Sequence, residues 1–311
     1  MQKDFICIRD WSVEEIEEIL SLGEKLKREP KKFSSSLKGK TLALVFEKPS
    51  TRTHVSFMVG MYQLGGNALY LGPEQVKLGI REPIKDVART LSRYVDGIVL
   101  RTFSHENVLE MARYATVPVI NGLSDLYHPC QALADIFTIK EIKGKIKKVK
   151  LGFIGDGNNV LHSLLYGCSK LGIDLYIATP KGYEPSESVL KEAKSFAKKS
   201  KAEIKTGNSL YPVVKNCEFI YTDVWVSMGQ EKERVKRLRD FRGFQINKEI
   251  ISQAKHKPYI LHCLPCHRGE EITDEVIESK ESLVFEQAEN RLHVQKAILI
   301  KLLGKDVKEK G

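Results

Sequence analysis

No stretch of this chain stays apolar for long enough to cross a bilayer. Its first residues do not make a signal peptide, because Asp4, Arg9, Asp10 and the acidic run from Glu14 interrupt any apolar core. An Arg- and Ser-rich, acid-poor transit peptide is missing as well, so a cytoplasmic protein, or one already processed, is expected. Cysteine is sparse: six in 311 residues, irregularly spaced, which without export reads as reduced thiols rather than a disulfide framework. Internal repeats, low-complexity segments and a basic stripe with interleaved aromatics are also absent. The net charge of +10 therefore does not argue for nucleic acid: basic residues are scattered and mixed with acidic ones, as in Glu231-Lys-Glu-Arg-Val-Lys-Arg-Leu-Arg239. A solvated Lys/Glu-rich surface, of the kind that suits growth at high temperature, explains it better.

What is present is a globular composition, 42% hydrophobic and 29% charged, in a chain long enough for two domains. Ser12 to Glu15 is a capping box, with Trp11 placed to staple to Ile16, and Val13, Ile16, Ile19, Leu20 and Leu26 share one helical face up to Pro30. Apolar strand-like runs then alternate with helix-like ones: Thr41–Phe46, Asn67–Leu71, Asp96–Leu100 and Val117–Ile120, with helices expected after Ser50, over Ile84–Tyr94 and from His128-Pro129. In the helix after Ser50, Val55, Met58, Val59 and Tyr62 are expected to be the buried stripe, and Gly65-Gly66 the stop. A Lys-rich stretch, Lys143 to Lys150, marks a change of unit, placing a boundary near residue 140. The alternation restarts with Val149–Ile154, Ile173–Ala178, Phe219–Thr222 and Pro258–His262, and a last helix is expected from about Glu289 to Leu303, with fraying after Lys305. The pattern predicts α/β architecture, two domains each with a parallel sheet flanked by helices. Such sheets bind ligands beyond the carboxyl ends of their strands.

Polar and reactive groups fall at those ends. Glu47-Lys48-Pro49-Ser50-Thr51-Arg52-Thr53-His54 opens a helix whose first N–H groups lack internal partners, and its hydroxyls and guanidinium add donors, so it suits an anion. Arg101 follows a buried strand, and Asp125-Leu-Tyr-His128-Pro-Cys-Gln131 follows another. In the second half the ends carry Gly155-Asp-Gly-Asn-Asn159, Asp223-Val-Trp-Val-Ser227-Met228-Gly229 and Cys263-Leu264-Pro265. The glycine pair at 155 and 157 is not a dinucleotide fingerprint: Val160 replaces the third Gly, and no acidic residue closes the next strand. Cys263-Leu-Pro-Cys266-His267 matches a haem attachment pattern and, with His262, offers soft zinc ligands or a redox pair. Haem attachment needs export, structural zinc wants a second ligand pair, and a redox pair belongs at a helix N-terminus, so none of the three is expected.

In this order, Ser50-Thr-Arg-Thr53, His128-Pro-Cys-Gln131, Asp223-x-x-x-Ser227-Met-Gly229 and His262-Cys-Leu-Pro265 resemble the signature set of the aspartate/ornithine carbamoyltransferase family, with the last two pointing to ornithine as acceptor. The resemblance extends over essentially the whole chain. It implies a carbamoyl phosphate-binding domain, residues 1–140 with the helix 290–311 packing back on it, an ornithine-binding domain, 141–289, and a site in the cleft between them. It also implies a homotrimer or a multiple of trimers, no cofactor and no metal, no nucleic acid or membrane partner, and a place in arginine biosynthesis. By motif, Ser50, Thr51, Arg52, Thr53, Arg101, His128, Gln131, Cys263, Leu264 and Arg291 would hold carbamoyl phosphate. Asn159, Asp223, Ser227 and Met228 would hold ornithine, and Arg101, His128 and Cys263 would be the catalytic groups. The family's Leu–Pro bond in this motif is cis, so Leu264–Pro265 is expected to be cis. Cys266 stands where the family more often has Ala. Cys263, the departing phosphate and solvent all remain open as the proton acceptor. A putrescine acceptor and a non-catalytic anion-binding protein remain the rival readings.

Overall fold

The computed structural model describes residues 3–304. The fraying expected after Lys305, and the end of the 290–311 helix, lie outside the described residues. The chain divides into two α/β units, one formed by the residues up to Phe137 together with those from Asn290 onward, the other by Thr138–Glu289. The first sheet contains β1 (Thr41–Phe46), β2 (Asn67–Leu71), β3 (Gly97–Arg101) and β4 (Val119–Leu123), in the order β2-β1-β3-β4. The second contains β5 (Lys150–Ile154), β6 (Asp174–Ala178), β7 (Ile204–Gly207), β8 (Phe219–Thr222) and β9 (Tyr259–His262), in the order β7-β6-β5-β8-β9. Every neighbouring pair is parallel.

The central strands read as continuous apolar runs because both of their faces are covered. Every residue of β3, β6 and β8 is buried. The edge strand β7 escaped the sequence reading because Lys205-Thr206-Gly207 is exposed and carries no apolar signal. In each sheet the chain first builds outward and then returns to the other side of its first strand. That makes β1/β3 and β5/β8 the two topological switch points, the places where parallel α/β sheets take ligands beyond the carboxyl ends of their strands.

Ser12 and Glu15 form the expected reciprocal cap on the helix Val13–Arg28, which buries Ile16, Ile19, Leu20 and Leu26. The helix Thr51–Gln63 corrects the expectation for its stripe. Phe57, Gly60 and Met61 are buried with Thr53, whereas Val55, Met58, Val59 and Tyr62 are exposed, Tyr62 at 82%. Both arcs have the spacing of a helical face, so periodicity could not say which one meets the core. Gly60 decides it: a Cβ there would lie 3.3 Å from the Lys296 side chain and 3.6 Å from Leu292, so the helix Val284–Leu303 is seated closely on that side. This last helix begins before the expected Glu289, since nothing in Phe285-Glu-Gln-Ala288 interrupts it.

Candidate functional site

In the first unit, β1 delivers the chain into the turn before the helix Thr51–Gln63. Ser50 is its N-cap, with Oγ accepting from the Thr53 N–H at 3.2 Å. Ser50 Oγ also lies 3.2 Å from Thr53 Oγ1, which in turn receives Arg291 Nη2 at 2.6 Å. Thr53 is fully buried, Arg52 and Ser50 are half-buried, and Thr51 is exposed on the first helical turn. Arg101 closes β3, on the other side of the switch point, and is buried. The two loops are tied together by Glu47. Its N–H donates to the Arg101 carbonyl at 2.8 Å, and its carboxylate accepts from Thr102 Oγ1 and, at 3.2 Å, from Asn107.

His128 precedes the helix Pro129–Lys143, and its carbonyl accepts the first helical bond from Ala132 at 3.2 Å. The imidazole is buried, and its pKa falls well below the usual value because of that burial and because Arg291, Arg101 and Arg52 lie around it. At neutral pH it is an uncharged ring among three guanidinium groups. Gln131, one helical residue pair further, donates Nε2 to Asp135 at 2.7 Å, while its buried Oε1 has no protein partner among the described residues. The first unit thus gathers a helix N-terminus, hydroxyls, three arginines and a neutral imidazole, a set of donors for an anion bearing a polar carbonyl.

In the second unit, the loop after β5 leads into the helix Asn159–Leu171, capped by Asn158. Asn158 Oδ1 accepts from Val160 at 3.0 Å and Leu161 at 3.2 Å, and its Nδ2 donates to Asp223 Oδ2 at 2.7 Å. Asp223 directly follows β8 and is buried. Its Oδ1 accepts from its neighbour Val224 N at 2.8 Å and from Cys263 Sγ at 3.0 Å. The loop beyond is closed by Gln230, whose side chain accepts from the Ser227 N–H at 3.0 Å; Met228 projects outward, 47% exposed.

Cys263 leaves β9 on a turn that contains the cis Leu264–Pro265 bond, as expected, with Leu264 at φ 55°. The turn is held by His262, whose Nδ1 accepts from Leu264 N at 2.9 Å while Nε2 pairs with buried Glu271 at 3.0 Å. The Nδ1 acceptance fixes the proton on Nε2, so the ring is an uncharged bridge between turn and carboxylate.

The structure therefore brings Ser50, Thr53, Arg52, Arg101, His128 and Arg291 together in one unit and Asp223 with Cys263 in the other. Asn159 stands in the first turn of its helix, and it is its neighbour Asn158, inside the same Gly155–Asn159 run but expected to hold nothing, that reaches Asp223. Glu271 was equally invisible, being one acid among many in sequence. Among the described residues, two groups of side chains have donor atoms close enough for a cation, Asp223–His262–Cys263 and His267–Glu270–Glu271. In the first, both nitrogens of His262 are already used, and Asp223 is occupied by Asn158, Val224 and Cys263. Cys266 belongs to neither group, so the Cys-x-x-Cys-His run does not fold into one ligand set.

Two parallel-sheet units, with donors suited to an anion at the switch point of one and an acid–thiol pair at that of the other, fit a class of two-domain group-transfer proteins. The family model for the carbamoyl-P binding domain of aspartate/ornithine carbamoyltransferases matches residues 3–141, and that for the Asp/Orn binding domain matches 147–302. The chain belongs to the aspartate/ornithine carbamoyltransferase family. It is 53% identical over 303 residues to an ornithine carbamoyltransferase of Anoxybacillus flavithermus, covering 97% of this chain and 96% of the relative. Among solved structures it is similar to ornithine carbamoyltransferase from Pyrococcus furiosus (TM-score 0.94, 52% identity, 97% of each chain covered). It is also similar to anabolic ornithine carbamoyltransferase from Campylobacter jejuni (TM-score 0.92, 42% identity, 97% of this chain and 99% of that one).

Proposed function

We propose that this chain transfers the carbamoyl group of carbamoyl phosphate to the δ-amine of L-ornithine, giving L-citrulline and phosphate. The observation that carries this reading is the division of labour between the two switch points: three arginines around a neutral His128 in one, and Asp223 bonded to Cys263 in the other. In the reaction the amine attacks the carbonyl carbon and charge builds on the carbonyl oxygen. Arg101, His128 and Thr53 are the donors for that oxygen, each contributing on the order of 3 kcal/mol of transition-state stabilisation. Ser50, Thr51, Arg52, Thr53 and the helix N-terminus hold the phosphate as its charge grows on departure, and Arg291 reaches the same ligand while holding Thr53. Gln131 offers its open carbonyl oxygen to the carbamoyl NH2. Cys263 and Leu264 serve the reacting amine.

In the second unit Asp223 takes the α-ammonium of ornithine, and Asn159, Ser227 and Met228 complete the amino-acid contacts. An amine has an ordinary pKa near 10, so it must shed a proton before attack, to Cys263, to solvent or to the leaving phosphate. The forward direction, in arginine biosynthesis, fits relatives from Pyrococcus furiosus and Campylobacter jejuni that are described as anabolic. We place the reaction in the cytoplasm: all six cysteines are free thiols, and among the described residues no helix is long and apolar enough to cross a membrane.

The test is purified protein with carbamoyl phosphate and a panel of ornithine, putrescine, aspartate and N-acetylornithine, with ureido product measured. Turnover of ornithine is expected; preference for putrescine overturns the acceptor, and no product with any amine overturns the enzyme reading. We also propose a homotrimer. The exposed arc Val55, Met58, Val59 and Tyr62 supports it, because a contiguous apolar helix face is stabilised when another surface covers it. Sedimentation should give the mass of three chains, and Tyr62→Glu should lower it; an unchanged mass in that variant would remove the arc from the interface.

A further inference from the structure

Arg237 is a buried charge that no step above uses, and it sits behind the loops of the second unit that carry Asn158 and Asp223. It lies in the helix Arg234–Asp240. Its Nη1 donates to Asp156 Oδ2 at 2.8 Å and to the Trp225 carbonyl at 3.0 Å, and its Nε donates to Glu233 at 2.9 Å. The guanidinium also lies over the Tyr183 ring, 5.1 Å from its centroid. Asp156 belongs to the loop after β5, two residues before the cap Asn158; Trp225 belongs to the loop after β8, two residues past Asp223. One side chain thus joins the two loops that also meet through Asn158 and Asp223. An aromatic cluster backs the joint: Trp225 packs on Phe241 at 5.6 Å and Phe241 on Tyr183 at 4.7 Å, while Tyr183 accepts at its carbonyl from Gly157 N at 2.9 Å.

The chemistry of the joint suits positioning rather than simple cohesion. Burial pushes the Asp156 carboxyl up and Arg237 pulls it back, so the two charges depend on each other. A planar fork with fixed directions sets the distance between the two loops in a way a flexible ammonium cannot. We propose that Arg237, paired with Asp156, is a positioning residue for the acceptor amino acid: it holds the Asp223–Gly229 loop where Asp223 and Ser227 can receive ornithine, and leaves the carbamoyl phosphate groups of the other unit untouched. This inference rests on the ornithine reading above.

Arg237→Gln and Asp156→Asn should each raise KM for ornithine about ten- to a hundredfold, while KM for carbamoyl phosphate and kcat at saturating ornithine stay within about threefold. The double variant should be no worse than the poorer single one, since both remove one joint. Arg237→Lys, which keeps the charge and loses the fork, should recover part of the affinity and serves if Arg237→Gln does not fold. A second readout needs no turnover. The chain has two tryptophans, Trp11 and Trp225, so a Trp11→Phe background reports Trp225 alone. In that background Arg237→Gln should shift the emission to the red and increase acrylamide quenching. An ornithine KM within about twofold of the unsubstituted chain, a parallel rise in both KM values, or unchanged Trp225 quenching would each overturn the proposal. If the unsubstituted chain makes no citrulline, the ornithine reading fails by itself, and the quenching result still decides whether Arg237 fixes the loop.

Discussion

The two units use one architectural device and fill it with opposite chemistry. In each, the first strand runs into a helix at a topological switch point, and a polar side chain caps that helix: Ser50 after β1, Asn158 after β5. Ser50 spends its oxygen on the Thr53 N–H, and the surroundings are cationic, with Arg52, Arg101 and Arg291 around a deprotonated His128. Asn158 accepts from two helical N–H groups and passes its amide on to Asp223. There the helix start is partly satisfied from within, and a carboxylate and a thiol occupy the position that cations hold in the first unit. A common fold fixes where a ligand can bind, and the charges set at that place choose the ligand.

The comparison breaks most sharply if either charge set is removed. Arg52→Ala should cut turnover about a thousandfold or more, because the leaving phosphate loses a charged donor when its charge is growing. Near-normal rates in that variant would refute the phosphate role. Asp223→Asn is expected next in size, lowering kcat/KM for ornithine about a hundredfold through a raised ornithine KM, with carbamoyl phosphate affinity kept. Equal losses for both substrates would mean that Asp223 supports the unit as a whole and does not select the amino acid.

A pH experiment tests the neutral imidazole. The folded-state pKa of His128 is depressed, chiefly by burial and then by Arg291, Arg101 and Arg52. Below about 6.5 the unfolded chain takes up a proton at this position and the folded chain does not, so the stability is fully present above 6.5 and drains as the pH falls toward the depressed value. His105, depressed by its own burial, acts in the same direction. Denaturant midpoints should fall between pH 7.5 and 5.5 in the unsubstituted chain and fall less in His128→Gln; equal slopes would place the proton uptake elsewhere.

Much of this was legible in sequence where local chemistry and chain order agree. Ser50, Arg101, Asp223 and Cys263 stand at strand ends that the apolar runs marked, and parallel alternation says that strand ends are where ligands go. Three things were hidden, each for a physical reason. The helix Thr51–Gln63 carries apolar residues on two opposite arcs, and only the close seat of Gly60 against Lys296 shows which is inside. The edge strand β7 has no apolar pattern to betray it. Glu271 and Arg237 act through partners 9 and 81 positions away and lie in no local motif, while Asn158 lies in the Gly155–Asn159 run but reaches a partner 65 positions on, which the run itself cannot show.

The smallest effect is expected at Cys266, the residue that made the sequence around Cys263 look like a metal or redox motif. Its side chain packs partly against the core that contains Ile246, Ile260 and Ile272. Burial, reinforced by Glu271, raises its thiol pKa, which lowers its thiolate content and its reactivity at neutral pH. Cys130 and Cys217 are pushed further, to about 12, by the same desolvation and are inert packing groups. Cys263 differs from all three in being hydrogen-bonded to a carboxylate at a strand end. Cys266→Ala should therefore keep kcat/KM within about twofold and change stability by no more than about 1 kcal/mol. Metal analysis of the purified chain should find less than one zinc per chain before and after the substitution. A tenfold loss of activity, or a stoichiometric zinc that disappears with Cys266, would make the Cys-x-x-Cys-His run a functional unit and would take Cys263 out of the amine's chemistry.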